Sequence, residues 1–111
     1  MPRYVPQKGD FISVTFDPQS GHEQKGRRPA LVVSNHLFNQ KTGLAIVCPL
    51  TTTNRDFPFH VAVIGNPDVS GFVMTEQVKP IDYRSRRAKY IGKASDDVIG
   101  EVLAILDACI Y

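Results

Sequence analysis

The sequence predicts a mainly β fold, a compact antiparallel sheet or barrel, with one α-helix near the end of the chain. Between residues 11 and 78, short apolar or alternating runs follow one another closely and are separated by turn formers. These runs do not alternate with long helical patterns, which disfavours a parallel α/β sheet. After Ser95 the apolar residues change to helical spacing. We expect a single domain spanning residues 1–111, which is long enough for one modest core.

Alternation and β-branched residues predict each strand in turn. Strands are expected at residues 11–16, 30–34, 44–48, 59–64, 72–74 and 77–78. In the two alternating runs, the residues expected to face the core are Ile12, Val14, Phe16, Phe59, Val61 and Val63. Turn formers end or separate these strands at residues 17–21, 41–43 and 65–68.

The last part of the chain predicts an amphipathic helix that packs on the sheet. Its apolar stripe consists of Val98, Ile99, Val102, Leu103, Ile105, Leu106 and Ile110. Ser95 is the expected N-cap, and Asp96 and Asp97 suit the positive end of the helix dipole. We interpret the stripe as core and give it no functional role.

The composition excludes several classes of protein. With 42% hydrophobic and 22% charged residues, the chain is typical of globular rather than disordered proteins. No apolar run approaches the roughly 20 residues that a membrane helix needs. The first ten residues are polar and hold two prolines, unlike a signal peptide. We therefore expect a cytoplasmic protein without membrane contact. Cys48 and Cys109 are expected to be buried free thiols, the alternative being one disulfide in a secreted protein.

Charge is unevenly distributed along the chain. Residues 1–94 hold all 13 Lys and Arg with 7 acids, a net +6, whereas residues 95–111 hold four acids and no base. This asymmetry predicts a surface that faces a polyanion. Six cations, opposed only by Asp82, lie at Lys79, Arg84, Arg86, Arg87, Lys89 and Lys93. If this segment meets RNA, Tyr83 or Tyr90 can stack on bases; the alternative is an ordinary solvated basic segment.

The motifs of several enzyme classes are missing from the sequence. It contains no phosphate-binding loop of the Gly-x4-Gly-Lys type, no dinucleotide fingerprint and no nucleophile elbow. His22, His36 and His60 lack the spacing of metal ligands, and no paired cysteines support zinc. The sequence therefore predicts a site without a metal or a cofactor.

Two segments carry groups suited to phosphate chemistry. Residues 20–29 form a long polar connection that holds a carboxylate, an imidazole and three cations. Pro29 biases Arg28 toward an extended backbone, so Arg28 is expected to project from the edge of a rigid sheet. Residues 51–53 are three threonines at the end of an apolar strand, where a hydroxyl can donate to a phosphate oxygen. Alone, each segment is equally typical of a solvated loop or of β-forming residues before a turn.

Seven short blocks occur in order along nearly the whole chain, from about Tyr4 to the C-terminal helix. They are Lys8-Gly9-Asp10, Phe16-Asp17-Pro18, Gly21-His22-Glu23-Gln24, Arg28-Pro29-Ala30-Leu31-Val32-Val33-Ser34, Asn39, Pro49-Leu50-Thr51-Thr52 and Glu76-Gln77-Val78-Lys79. In this order the blocks resemble the MazF/PemK toxins of prokaryotic toxin–antitoxin pairs. The chain departs from the family at one position, where Glu76-Gln77 replaces Asp-Gln.

The resemblance implies an SH3-like barrel of the CcdB/PemK type and a homodimeric, sequence-specific endoribonuclease. Such an enzyme cleaves single-stranded RNA, here mRNA, without a metal, inhibits translation and growth, and is neutralised by a cognate antitoxin. Operator DNA is expected to be contacted only through that antitoxin. By position, the catalytic arginine falls on Arg28, the catalytic threonine on Thr51 and the proposed acid on Glu23. The residues expected to bind RNA are Lys25, Arg27, Thr52, Glu76, Gln77, Lys79, Arg84 and Arg86.

The family reaction is attack by the ribose 2′-OH on the neighbouring phosphorus, which leaves a 2′,3′-cyclic phosphate and a free 5′-OH. Arg28 is suited to stabilising the phosphorane charge, because its fork matches a phosphate and stays cationic. Proton transfer is open between Glu23, His22 and Arg28 itself; an imidazole beside a carboxylate suits acid or base catalysis. Residues 52–59 are expected to select the RNA motif. The alternatives are a gyrase poison of the CcdB type and a non-catalytic SH3-like module that binds nucleic acid or a peptide.

Overall fold

The computed structural model describes residues 3–15 and 27–111, so predictions for residues 16–26 lie outside the described part of the chain. The described strands are β1 (Asp10–Thr15), β2 (Arg27–Val32), β3 (Leu44–Thr51), β4 (His60–Val63), β5 (Gly71–Met74), β6 (Lys79–Asp82) and β7 (Lys89–Lys93). The described helices are α1 (His36–Thr42) and α2 (Asp96–Ile110), together with a 3-10 turn at Thr75–Gln77. Within these ranges, no helix has both the length and the apolar character needed to cross a membrane.

Strand β3 is shared by three neighbours in an antiparallel sheet with the order β4-β5-β3-β2-β1-β7. Its residues 44–47 pair with β6, residues 47–49 with β2 and residues 50–51 with β5. Strand β3 therefore pairs with different strands along its length and belongs to both parts of the sheet. This arrangement requires the sheet to curl. The prediction of a mainly β, curled antiparallel sheet with a C-terminal helix is confirmed.

Both faces of β1 are buried, although its alternation predicted a single core face. Ile12 and Val14 lie in one apolar cluster, as predicted. Phe11 points to the opposite face and packs in a second cluster that includes α2. The pattern gave no sign of this second face, because Ser13 and Thr15, which share it, are polar.

Helix α2 begins where the sequence predicts. The Ser95 side chain accepts a hydrogen bond from the backbone N–H of Val98, with 3.2 Å between Oγ and N. Val98, Val102 and Leu106 are buried against the sheet, and the flanking Ile99 and Ile105 pack on the same cluster. The buried stripe is shorter than predicted, because its last predicted residue, Ile110, is 68% exposed.

The segment before β3 forms helix α1, where the sequence predicted only a turn at residues 41–43. Asn35 caps this helix by accepting a hydrogen bond from the Phe38 N–H at 2.9 Å. Gly43 ends it with φ of 75°, a conformation that favours glycine. The turn formers at residues 41–43 therefore mark the end of a helix. Its apolar residues Leu37 and Phe38 are exposed, so the sequence shows no core-facing stripe that would predict the helix.

The predicted strand at residues 77–78 is wrong, because a 3-10 turn occupies Thr75–Gln77. The Thr75 hydroxyl and N–H both donate to the carbonyl oxygen of Phe59, at 2.6 and 3.2 Å. Phe59 itself precedes β4 and is 37% exposed, whereas Val61 and Val63 are buried as predicted. The turn thus fixes the start of β4 against the segment that leads into β6.

Asn39 is fully buried and joins three parts of the chain. Its Nδ2 donates to the carbonyl oxygens of Pro6, at 2.8 Å, and Ser34, at 3.3 Å. Its Oδ1 accepts from the Ser34 hydroxyl at 2.5 Å, and its backbone oxygen accepts from the Tyr83 hydroxyl at 2.9 Å. Because buried polar groups are costly when unpaired, this residue holds α1 in place against the N-terminal segment and the end of β6.

Cys48 and Cys109 are both free thiols, but only Cys48 is buried. The prediction of a buried Cys109 is wrong, because this residue lies on the exposed side of α2 near its end. Burial, and to a lesser extent the nearby charge of Glu76, raises the pKa of the Cys48 thiol to about 12.

Replacing Asn39 with Ala should lower the free energy of unfolding by about 2 to 4 kcal/mol, because buried carbonyl groups lose their donor. Urea denaturation at a fixed protein concentration measures this change. Asn35→Ala is the matched control; it removes an exposed cap and should cost about 1 kcal/mol. Equal losses in the two variants would contradict the structural role assigned to Asn39.

In a Cys109→Ser variant, the remaining thiol, Cys48, should react with Ellman's reagent at pH 8 at least about 100-fold more slowly in the folded than in the unfolded protein. The reason is that a raised pKa leaves little thiolate at pH 8, and burial restricts access. The folded-state rate should rise as the pH is increased toward 12. Rapid reaction of folded protein at pH 8 would contradict this environment.

Candidate active site

Arg28 and Thr51 lie just beyond the end of the β2–β3 ladder and line the same two clefts. The paired residues of the ladder are Ala30 with Pro49, Leu31 with Cys48 and Val32 with Val47. Two residues further along the same register, Arg28 and Thr51 are the corresponding positions of the two strands, where the ladder is no longer paired. The chain thus brings a guanidinium and a hydroxyl together from segments more than twenty residues apart.

Two prolines and one glycine explain why the strands open here. Pro29 in β2 and Pro49 in β3 have no backbone N–H to donate, so they weaken the ladder near its end. On the other side of β3, Gly71 lies so close that a Cβ atom would be 2.5 Å from the Thr51 carbonyl oxygen, and its φ is 121°. Only glycine suits this position, where it allows β5 to pack closely against the backbone of Thr51.

Arg28 and Thr51 keep polar groups available for a ligand. The Arg28 side chain is exposed and forms no hydrogen bond or ion pair with residues 3–15 or 27–111. The Thr51 hydroxyl oxygen accepts from the Thr53 N–H at 3.2 Å. Its own hydrogen finds no acceptor in the same ranges, so the hydroxyl can donate to an incoming anion.

Two clefts meet at Arg28 and Thr51. The first, of about 480 Å³, is lined by Arg28, Thr51, Arg55, Phe57, His60, Met74, Glu76 and Gln77. The second, of about 430 Å³, is lined by Arg28, Pro29, Leu50, Thr51, Thr52, Thr53 and Ser70. Each volume lies in the range typical of ligand sites, about 300 to 1,000 Å³. The predicted residues Arg28, Thr51, Thr52, Glu76 and Gln77 all line one or both clefts.

His60, which was not predicted as a site residue, pairs with Glu76 in the first cleft. The distance between His60 Nε2 and Glu76 Oε2 is 3.0 Å, and the His60 side chain is only 4% exposed. The ring of Phe57 meets the imidazole edge to face, with 5.1 Å between centroids. In sequence, His60 was one polar residue at the start of an alternating strand, and its partner was sixteen residues away, so no local pattern identified the pair.

Arg27 and Arg86, both predicted to bind RNA, are engaged in contacts with β1. The Arg27 guanidinium donates to the Ser13 carbonyl oxygen at 2.7 Å and to the Arg87 carbonyl oxygen at 2.9 Å. Arg86 Nη1 donates to the Thr15 carbonyl oxygen at 3.1 Å. These contacts fasten the end of β1 to the turn between β6 and β7, a structural role that spacing along the chain did not indicate.

The rest of the predicted basic segment lies away from the two clefts. Arg84 lines a separate depression with Arg3, Tyr4, Tyr83, Arg87 and Ala88. Tyr83 is 2% exposed, so the prediction that it can stack on bases is wrong. Tyr90 is 54% exposed and meets Tyr4 edge to face. Lys79 is exposed at the start of β6.

Glu23, His22 and Lys25 lie outside the described residues, so their predicted roles stay predictions. In the described ranges, no three or more His, Cys, Asp or Glu side chains are grouped to hold a metal ion. The described site thus combines a guanidinium and a hydroxyl with a carboxylate and an imidazole across one cleft, groups suited to binding a phosphate and to exchanging hydrogen bonds with its substituents.

Comparison with known proteins agrees with this geometry. Residues 7–110 match the family model described as PemK-like, MazF-like toxin of type II toxin–antitoxin system. The chain is 39% identical over 108 residues to the endoribonuclease toxin MazF of Escherichia coli strain K12, covering 97% of this chain and 96% of that protein.

Solved structures of Deinococcus radiodurans proteins share the fold. The chain matches MazF in crystal form I with 42% identity and a TM-score of 0.87, covering 97% of this chain and 98% of that one. It matches a chain of the MazE–MazF structure in form III with 39% identity and a TM-score of 0.88, covering 96% and 97%. A family model and close relatives that span nearly the whole chain agree, and the protein therefore belongs to the PemK-like, MazF-like toxin family of type II toxin–antitoxin systems.

Proposed function

We propose that the protein is a sequence-specific endoribonuclease that cleaves single-stranded RNA without a metal ion, by attack of a ribose 2′-OH on the adjacent phosphorus. The products are a 2′,3′-cyclic phosphate and a free 5′-OH. The observation that supports the proposal is that Arg28 and Thr51 both line the same two clefts. Relatives named as endoribonucleases support it.

In this mechanism the phosphate under attack lies against Arg28 and Thr51. Arg28 stabilises the charge that develops on the non-bridging oxygens, because its planar fork offers parallel donors and remains cationic. Thr51 donates its free hydroxyl hydrogen to the same oxygens. Donors that are already in position for the developing charge lower the barrier without reorganisation during the reaction.

Proton transfer involves one group that takes the 2′-OH proton and another that protonates the departing 5′-oxygen. The candidates for these two steps are Glu23, from the family resemblance, His22, because it adjoins Glu23 in the sequence, and Arg28 itself.

The RNA strand runs through both clefts, so that nucleotides on either side of the cleaved bond occupy one cleft each. In the first cleft, Gln77, Glu76 and the newly identified Arg55 and Phe57 contact the RNA. In the second, Thr52 does so. The cations proposed to extend the contact along the phosphates are Lys25, Arg27, Lys79, Arg84 and Arg86, of which Arg27 and Arg86 already hold structural contacts.

The biological role follows from membership in a toxin–antitoxin family. Cleavage of mRNA in the cytoplasm inhibits translation and growth, and a cognate antitoxin protein neutralises the enzyme. A MazE–MazF structure among the similar solved structures supports a protein partner of this kind. We further propose that the active form is a homodimer and that operator DNA is contacted only through the antitoxin.

Arg28→Ala should lower the rate of RNA cleavage by about 100- to 1,000-fold, and Thr51→Ala by a factor toward the lower end of this range, because each removes a donor to the phosphorane. The assay uses purified protein, a long mixed-sequence RNA and excess EDTA, and products are examined for cyclic phosphate. Lys41→Ala, which removes an exposed cation on α1, is the control and should retain activity. Absence of cleavage by the unaltered protein would refute the proposed function.

Arg55→Ala should weaken binding of a short non-cleavable RNA, carrying 2′-O-methyl groups, more than Arg84→Ala does. The reason is that Arg55 lines the cleft of Arg28, whereas Arg84 lines another depression. Loss of one phosphate contact should also reduce the salt dependence, by about 0.7 in the slope of log K against log salt. Binding titrations at several salt concentrations measure both effects. A larger effect of Arg84→Ala would mean that the RNA follows the basic segment instead.

A further inference from the structure

The first cleft is lined by groups of opposite charge. Arg28 and Arg55 are cations, and Glu76 is the one carboxylate among the described residues that line it. Glu76 is bound by His60, whose ring meets that of Phe57. A phosphate is attracted to the guanidinium groups and repelled by the carboxylate, so a nucleotide in this cleft is favoured with its phosphate at Arg28 and Thr51 and its base toward Glu76.

The carboxylate of Glu76 is held in a fixed position. Its backbone lies in the 3-10 turn that Thr75 fastens to the Phe59 carbonyl oxygen. Its Oε2 is bound by His60 Nε2 at 3.0 Å. The other oxygen, Oε1, makes no hydrogen bond with the described residues, and the side chain is one-third exposed. A fixed and partly exposed oxygen with spare lone pairs is suited to accept a hydrogen bond from a ligand.

His60 is suited to holding this carboxylate and not to reaching the RNA. Its side chain is almost fully buried, and its Nδ1 is buried without a hydrogen-bond partner. An imidazole that donates from Nε2 leaves Nδ1 as a bare acceptor, which fits the unpaired atom. His60 thus holds one oxygen of Glu76 and leaves the other to the ligand.

We propose, building on the proposed function, that Glu76 selects a nucleobase with an exocyclic amino group next to the cleaved phosphate, with Phe57 as its stacking surface and His60 as the positioning residue. A carboxylate only accepts hydrogen bonds, and the amino groups of cytosine and adenine are donors that it can read. The ring of Phe57 is 40% exposed in the same cleft, and stacking tolerates any base. Selection of the nucleobase therefore depends on Glu76 and not on Phe57.

The test begins with cleavage of a random RNA pool, which identifies the preferred base at each position around the cut. At the position read by Glu76, replacing the base by its analogue without the amino group should lower kcat/KM by about 10- to 100-fold, the loss of a hydrogen bond to a charged acceptor. The pairs are adenosine with purine riboside, cytidine with its 4-deamino analogue zebularine, and guanosine with inosine. Cleavage of the preferred RNA by the unaltered protein tests the proposed ribonuclease function itself, independently of base selection by Glu76.

In Glu76→Gln the amide oxygen is bound by His60 Nε2–H, and the NH2 group, a donor, faces the base. Most of this discrimination between a base and its analogue should therefore be lost while cleavage continues. Glu101→Gln, an exposed carboxylate on α2, is the control and should leave the ratio unchanged. If Glu76→Gln instead lowers cleavage of all RNAs equally and alters the pH–rate profile, Glu76 acts in proton transfer and the proposal is overturned. An unchanged ratio in an active Glu76→Gln enzyme would also overturn it.

His60→Ala should weaken the discrimination in the same direction, and His60→Gln should restore part of it, because an amide N–H can still donate to the carboxylate. The ratio of kcat/KM values is the readout, since a loss of stability alone reduces both values together. His36→Ala, an exposed histidine on α1, is the control. If His60→Ala folds and keeps the full ratio, His60 does not position Glu76.

Discussion

The antiparallel register between β2 and β3 is the constraint on which the described site depends. Three paired positions set this register, and Arg28 and Thr51 are the corresponding positions of the two strands just beyond the last pair. A shift of one residue would turn one of these side chains to the other face of the sheet. Packing on both faces opposes such a shift, because Leu31 and Cys48 belong to one apolar cluster and Ala30, Val32 and Val47 to the other, and a shift would exchange them.

The curl of the sheet supplies the second half of the site. Strand β3 leaves β2 after residue 49 and continues along β5, so the end of β3 faces the segment that carries Glu76. The 3-10 turn fixes this segment to the start of β4, where His60 lies. A cleft lined by both cations and a carboxylate is therefore a consequence of one strand serving two parts of the sheet.

Much of the fold was predictable because its signals are local. The cap at Ser95, the alternation of β1 and the apolar run of β3 each depend on residues within one element. The errors occurred where local signals are ambiguous. Helix α1 exposes its apolar residues, and the turn at Thr75–Gln77 is set by a contact with distant Phe59. Contacts of that kind leave no periodic pattern in the sequence.

The sequence by itself predicted a mainly β fold with a C-terminal helix, although not strands β6 and β7, and its seven blocks identified the family together with Arg28 and Thr51. Only the tertiary structure decided that Arg27 and Arg86 fasten β1, that Tyr83 is buried, and that His60 holds Glu76 in the cleft. The physical reason is that a side chain's role depends on which partners the sheet register and curl bring within hydrogen-bonding distance. Those partners lie fourteen to seventy-one residues away along the chain, where no spacing rule connects them.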